Sequence, residues 1–467
     1  MPIDLSFEPH EMPLLTDLYE LTMAASYFQM GLNERACFTL SVRRMPPHRG
    51  FLVAAGLERL LEALEQFQFS QPVLDSLDAL KLFSGEFLQF LGNLRFTCEV
   101  DAVPEGTIFF ADEPILEING PLIEAQLVES LVVNQIGIAT LIASKSVRSV
   151  IAARGRRLVD FGLRRSQGVD ASLVAARSSY LAGFVGTSNV LAGCRYHIPL
   201  YGTMAHSYIM AHERERDAFE HFVELFPRLS TLLVDTYDTV RGVENAAVVG
   251  RDLRDKGFKL QAVRLDSGDL ADLSVKARRI LDQNGLQDVS IFASGNLDEY
   301  RIRDLVRTGA PIDAFGVGTA MVVSADAPSL DLVYKLAEYR GSPRLKTSTN
   351  KITLPGRKQW FRAFNANHGF YADVIGLADE GVTTVSREFK PPAAEVLPMM
   401  RRQFNEGFRI TPRPTLIGSR EHLLESIAKL EQRYKDLDKP VTYPVKHTAA
   451  LNAMLIDERM RAEKRQK

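Results

Sequence analysis

The chain is short of several things, and each shortage closes a route. It has three cysteines in 467 residues, Cys37, Cys98 and Cys194. They are too few and too scattered for a disulfide framework or a zinc site, which favours a reducing, cytoplasmic setting. Its formal net charge is only −2, so nothing global draws it to nucleic acid or to an anionic membrane. The opening Met-Pro-Ile-Asp-Leu-Ser has no basic segment followed by an apolar one, so no signal peptide is expected. The longest charge-free apolar stretch of note, Ser130 to Ser144, falls short of the ~20 residues a membrane span needs. It reads as the buried centre of one long helix from Ile123 to Arg154. No fixed-period repeat and no low-complexity tract is visible, which excludes a solenoid.

What is present is ordinary in bulk, 46% hydrophobic and 24% charged, and long enough for two or three domains with a large core. The informative part lies between Ser230 and Thr319. Four apolar runs each end in a polar tip: Leu232 to Val234 into Asp235-Thr-Tyr-Asp238, Ala262 to Leu265 into Asp266-Ser-Gly-Asp269, Val289 to Phe292 into Ser294-Gly295-Asn296, and Ile312 to Phe315 into Gly316-Val-Gly318-Thr319. Helix-patterned stretches separate them. Buried parallel strands followed by helices read this way, and such sheets bind ligands at the carboxyl ends of their strands. Carboxylates at two tips and Gly, Ser and Thr at the others suit a phosphate ester held through a metal or through sugar hydroxyls.

Elsewhere the pattern predicts helices over residues 13–30, 57–67, 74–91 and 419–437, and strands over 35–42 and 96–103. A further strand is expected over 196–201. The charged tail from Glu458 to Lys467 reads as a solvated, fraying helix end. Three domains are expected: an N-terminal α/β domain (1–140), an α/β barrel (141–340) and a C-terminal segment (341–467) that packs back on the first.

Several residues stand out chemically. His206, in Gly202-Thr203-Met-Ala-His206, could be a general base, a metal ligand, a phosphoryl acceptor or a hydrogen-bonded structural histidine. His212 and His221 read as surface residues. Arg164 and Arg165 follow a strand end, where one of them could grip a carboxylate or phosphate as a bidentate fork or simply form a surface salt bridge. Strand alternation puts Arg264 and Asp266 on one side. That pair suits a ligand carrying an acid with sugar hydroxyls or Mg²⁺, or else an internal ion pair. Ser294-Gly295 and Gly316-Val-Gly318-Thr319 would offer backbone N–H groups to a phosphate at helix starts. Lys346, Lys351, Arg357, Lys358 and Arg362 surround Trp360 and read as a solvated basic face.

Taken together, the segments Leu14 to Met23, Phe161 to Gly168, Gly186 to Asn189, Gly202 to Ser207, Val263 to Asp269, Gly318-Thr319 and Lys346 to Gly356 make the chain resemble the nicotinate phosphoribosyltransferases. The resemblance implies an incomplete (β/α) barrel of the type II phosphoribosyltransferase kind, packed against an α/β domain built from both chain ends. It implies transfer of phosphoribosyl from phosphoribosyl pyrophosphate to nicotinate, giving nicotinate mononucleotide and pyrophosphate in NAD biosynthesis. ATP hydrolysis would be coupled through a phosphohistidine at His206. Thr203, Arg164 and Arg264 would bind nicotinate, and Tyr19 would stack on its ring from the neighbouring subunit of a homodimer. Asp266 and Asp269 would hold ribose hydroxyls or Mg²⁺. Ser294, Gly295, Gly316, Gly318 and Thr319 would hold the phosphate. Nucleic acid and membrane are not expected as partners. The rival readings are a nicotinamide-using relative, which carries an acidic residue where this chain has Ser188, a quinolinate-using relative, a non-catalytic binding barrel, and a Schiff-base aldolase, which wants a lysine at a strand tip.

Overall fold

The computed structural model describes residues 9–346 and 353–465. Two compact units divide the chain, one from residues 1–141 and 329–467, the other from residues 142–328.

The first unit is built on a seven-stranded antiparallel sheet that runs, in spatial order, Ser342–Pro343, Leu332–Tyr339, Arg35–Val42, Pro114–Pro121, Glu99–Ala102, Arg401–Asn405 and Phe408–Arg409. Segments from both chain ends therefore share one sheet. Arg35–Val42 reads eBBBBBiB in burial, a strand covered on both faces. A second sheet of four strands holds Lys358–Phe364 and Phe370–Leu377 at its centre.

Four expectations fail here, each for a local reason. The helix expected over 123–154 is interrupted at Val128, giving Leu122–Leu127 and Glu129–Ala153. The buried Glu20 carboxylate accepts from the Ser130 backbone N–H at 3.1 Å and from its hydroxyl at 2.5 Å, so it takes a donor from the helical ladder. At 25 residues, Glu129–Ala153 is long and apolar enough to cross a membrane, beyond the stretch considered from sequence, but 78% of its apolar window is buried inside the protein. The helix expected over 74–91 is two, Gln71–Ala79 and Gly85–Asn93, because Lys81 adopts φ 55° and Ser84 caps the second through the Phe87 N–H. The helix expected over 419–437 is Leu416–Lys429, capped by Thr415. In the terminal helix Ala449–Arg465, Glu458 is buried rather than solvated.

The basic face expected around Trp360 is a buried ion-pair core. Trp360, Arg362 and Lys358 are 0%, 1% and 3% exposed. Arg362 sits opposite Asp373 across the Lys358–Phe364 and Phe370–Leu377 pairing and bonds it through Nη2 at 2.6 Å. Its guanidinium lies over the Phe370 ring at 4.1 Å and the Trp360 ring at 5.1 Å. Lys358 pairs with Glu117 at 3.0 Å. Lys351 lies outside the described residues.

The second unit is the α/β part. Six strands, all parallel, form one curled sheet: β1 (Arg157–Asp160), β2 (Gly186–Thr187), β3 (Thr231–Leu233), β4 (Ala262–Leu265), β5 (Ser290–Ala293) and β6 (Ala314–Val317), in the order β2-β1-β6-β5-β4-β3. The interiors of all four apolar runs identified in the sequence are buried strands. The expected strand over 196–201 is not one: the helix Val190–Tyr196 runs into it, and only Leu200 bridges, parallel to Thr187. That short segment matters for closure. Tyr201 N–H donates to the Thr187 carbonyl at one edge of the sheet. Two residues on, the Thr203 hydroxyl donates to the Thr231 carbonyl at the other edge, 2.7 Å away. The sheet is thereby drawn into an incomplete barrel.

Candidate active site

The carboxyl ends of the six strands carry the chemistry, and the two acidic tips share one design. In Asp235-Thr-Tyr-Asp238 the last Asp caps the helix Thr239–Asp255 through the Arg241 N–H, 2.9 Å away. In Asp266-Ser-Gly-Asp269 the last Asp caps Leu270–Gln283 through the N–H groups of Ala271 and Asp272, at 3.1 and 3.2 Å. Each cap satisfies donors that a helix start leaves open. The first Asp of each tip is left for the site.

Asp266 is the hub. Arg264 reaches it through Nη2 at 2.7 Å, and the Ser294 hydroxyl donates to the same carboxylate oxygen at 2.5 Å. Arg264 Nε also donates to Ser294 Oγ at 2.8 Å, closing a triangle between the tips of β4 and β5. Burial on its own would raise the Asp266 carboxyl. The Ser294 hydrogen bond and the Arg264 charge outweigh it and hold the group below its ordinary value, with His206 acting in the same direction. Asp235 clamps this tip from β3: its Oδ2 accepts from the Asp266 N–H at 3.1 Å and from the Ser267 hydroxyl at 2.6 Å, while its Oδ1 is buried without a hydrogen-bond partner among the described residues. Beneath, Arg264 lies 5.4 Å from the centre of the Phe161 ring.

His206 opens the short helix His206–Met210, half-buried, with Nδ1 3.1 Å from the Thr236 hydroxyl. A histidine on one loop is thus tied to the tip of β3, next to Asp235. Residues 206, 235, 236, 264, 266 and 294 converge from three strand tips and one loop.

The glycine-rich tips are laid out differently from the expected helix starts. Gly295 (φ 93°) and Asn296 (φ 48°) form a left-handed turn, and the following helix begins only at Glu299, capped by Asp298. A Cβ at Gly295 would lie 1.9 Å from the Asp266 carbonyl oxygen, so only glycine fits beside the acidic tip. Gly316 is inside β6, where a Cβ would strike the Phe161 ring at 2.6 Å. Gly318 lies just beyond the strand, and Thr319, exposed, begins a single four-residue turn. Arg164 and Arg165 stand exposed on a 3₁₀ turn after β1, and neither side chain has a partner among the described residues. Ser188 is half-buried beyond β2. His221 is exposed, but His212 is half-buried with its ring 5.3 Å from that of His221. Tyr19 belongs to the other unit; its phenol is pushed up by burial and by the nearby Glu129 and Glu20 carboxylates.

One network escaped the sequence reading. Asp160, at the tip of β1, is buried and accepts from the Thr187 hydroxyl and the Gly162 N–H, both at 2.7 Å. Burial raises its carboxyl despite those two bonds. Thr187 accepts in turn from the Asn189 N–H, and Asn189 caps Val190–Tyr196. The register pairing Asp160 with Thr187 across β1 and β2 makes this network. The only signals in the sequence were that Thr187 falls in a segment shared with one family and that Asp160 immediately precedes another.

Comparisons with known proteins fit this arrangement. Models described as the nicotinate phosphoribosyltransferase N-terminal domain, family and C-terminal domain match residues 14–137, 156–353 and 357–455. A nicotinate phosphoribosyltransferase of Mycobacterium tuberculosis is 46% identical over 444 residues, covering 94% of this chain and 92% of that protein. The chain belongs to the nicotinate phosphoribosyltransferase family. A second member, from Bacillus subtilis, is 36% identical over 463 residues, covering 95% of this chain and 94% of its own length. The crystal structure of human nicotinic acid phosphoribosyltransferase superposes with a TM-score of 0.84 at 29% identity, over 95% of this chain and 99% of that one. The family likeness therefore extends over both units.

Proposed function

We propose that this enzyme transfers the phosphoribosyl group of phosphoribosyl pyrophosphate to nicotinate, releasing pyrophosphate and forming nicotinate mononucleotide for NAD salvage. The observation that carries the reading is the Arg264–Asp266–Ser294 triangle beside His206. It sets a cation for the ring carboxylate next to a carboxylate for ribose hydroxyls, and family membership supplies the reaction.

The chemistry asks little of a general base. Pyrophosphate leaves, positive charge develops at the ribosyl carbon, and the pyridine nitrogen attacks with its own lone pair. The protein positions the two reactants and stabilises the developing charge. Asp266, kept ionised, sits where a carboxylate can face that charge. Among the described residues no three His, Cys, Asp or Glu side chains converge as a metal cage. A Mg²⁺ held by one or two carboxylates and by substrate phosphates still fits, with Asp266 and the Oδ2 of Asp269, the oxygen its helix cap does not use, as its ligands and the unpartnered Oδ1 of Asp235 as a nearby acceptor. Bound there, it would neutralise the departing pyrophosphate.

His206 is the phosphoryl acceptor in this reading. When Nδ1–H donates to the Thr236 hydroxyl, the lone pair lies on Nε2, which has no partner among the described residues. A neutral imidazole in that tautomer is a nucleophile toward the γ-phosphorus of ATP. The enzyme is taken as a homodimer in which Tyr19 serves the neighbouring subunit's site, in the cytoplasm. A product assay with nicotinate or nicotinamide, each with and without ATP, tests the proposal. Nicotinate turnover stimulated by ATP is expected. Equal turnover of nicotinamide would remove the role given to the arginines.

A further inference from the structure

The parallel sheet has a second end. Below the strand tips, the amino half of the incomplete barrel encloses a cavity of about 290 Å³. Its charged lining residues are all cations: Arg157 at the start of β1, Arg228 just before β3, and Lys259 just before β4. Among the described residues no carboxylate lines it. Arg228 is exposed and has no side-chain partner among the described residues, and Arg157 is exposed and donates only to the Ser290 hydroxyl, at 3.2 Å. Lys259 is partly offset by Asp288, 3.2 Å away. At the other end the lining is apolar and aromatic, with Phe161 and Phe292 5.5 Å apart and Tyr201 contributing to the wall. Phe161 separates the cavity from Arg264, which lies on the ring.

We propose that this cavity, which Thr203 lines from its bond to Thr231 at the start of β3, is a second ligand site for a small planar aromatic anion, so that Thr203 serves this cavity and not the catalytic tips. The ring enters the apolar end against Phe161 and Phe292, and the anionic group stays at the amino-end mouth with Arg157 and Arg228. Size selects the class. A volume near 290 Å³ is at the lower limit of ligand sites, roughly 300–1,000 Å³, and about twice a cavity that takes one benzene ring. One or two fused rings with a single charged group fit, and a dinucleotide does not. Two uncompensated guanidinium groups at the mouth favour a carboxylate or sulfonate over a neutral ring.

The test uses the intact protein and naphthalene-2-sulfonate, a planar two-ring anion of the proposed class, with binding read by isothermal titration calorimetry. Saturable binding to one site is expected, retained in saturating nicotinate. Arg157→Gln with Arg228→Gln should weaken it about tenfold or more, with circular dichroism and basal transferase activity unchanged. Both side chains are exposed and neither is ion-paired, so folding is not at stake; Arg228→Gln alone should give a smaller loss in the same direction. Absence of saturable binding overturns the proposal. So does displacement by nicotinate, or an affinity that ignores both substitutions, because the anion would then be sitting at the catalytic mouth or on the outer surface.

Discussion

Arg264→Ala separates the proposed binding of an acid from the mere upkeep of a loop. In the structure the guanidinium makes two bonds, to Ser294 Oγ at 2.8 Å and to Asp266 Oδ1 at 2.7 Å, with 16% of the side chain exposed. Nicotinate brings a carboxylate to this cation, and a hydrogen bond to a charged group contributes about 1.5–3 kcal/mol. At about 1.4 kcal/mol per decade, the loss raises the nicotinate KM by roughly 10- to 150-fold. Nicotinamide lacks the carboxylate, so whatever slow turnover it shows should fall much less. The substitution also removes a charge that holds the Asp266 carboxyl down. A lowered carboxyl contributes stability that is present above its unfolded value and is lost as pH falls through the folded value. Without Arg264 the folded value rises, so the acid limb of kcat/KM should move to higher pH. The assay is steady-state formation of nicotinate mononucleotide across pH, with nicotinate and nicotinamide in parallel. A nicotinate KM within about twofold of the parent, or an equal loss for both rings, would show that Arg264 braces the tip and does not touch the acid.

Four further changes probe other parts of the argument. His206→Ala should abolish ATP hydrolysis coupled to transfer and leave slow basal transfer; surviving coupled hydrolysis would move the phosphoryl acceptor elsewhere. Gly295→Ala places a methyl 1.9 Å from the Asp266 carbonyl on a backbone with φ 93°, a strain of order 1–3 kcal/mol. Its kcat should fall with a raised KM for phosphoribosyl pyrophosphate, and parent kinetics would mean the turn relaxes at no cost. Tyr19→Ala subunits mixed with His206→Ala subunits should regain activity if sites are shared across a dimer, whereas mixtures no better than the parents' average would place Tyr19 in its own subunit's site. Arg362→Leu strands the buried Asp373 carboxylate, at a cost of about 3–5 kcal/mol. The urea midpoint should drop, and an unchanged midpoint would show that the pair contributes no net stability.

How far the sequence can be read depends on how far apart the interacting residues lie. The strand tips were legible because a parallel strand buried on both faces leaves a continuous apolar run, and its end is marked where polarity returns. Arg264 and Asp266 were legible as a pair because they are two residues apart on one strand. Partners on neighbouring strands were not. Ser294 completes the Asp266 site from 28 residues away, and Thr187 meets Asp160 from 27. Both contacts exist only through parallel registers, which no local pattern encodes. The same reason explains the misread basic cluster. Arg362 seemed solvated because its acid, Asp373, arrives 11 residues later on the adjacent strand. The double Asp of each acidic tip shows the limit from the other side: spacing put two carboxylates at one loop, but only hydrogen bonds tell the helix cap from the residue left for substrate.

That division of labour bears on the chemistry. A tip whose second Asp pins the next helix and whose first Asp is pinned by Arg264 and Ser294 has little freedom left to reorganise when charge develops at the ribosyl carbon. Rigid charges placed beforehand lower a barrier more than charges that must move to the task. The β3 tip extends the same logic to the coupling step. Asp235 fixes the β4 tip through the Asp266 N–H, and the next residue, Thr236, holds the His206 imidazole. One dipeptide therefore touches both the residue assigned to the transfer and the residue assigned to the phosphoryl group. In the proposed coupling, a phosphate on Nε2 would need to act only through these two adjacent residues to alter the site proposed for nicotinate and the phosphoribosyl group.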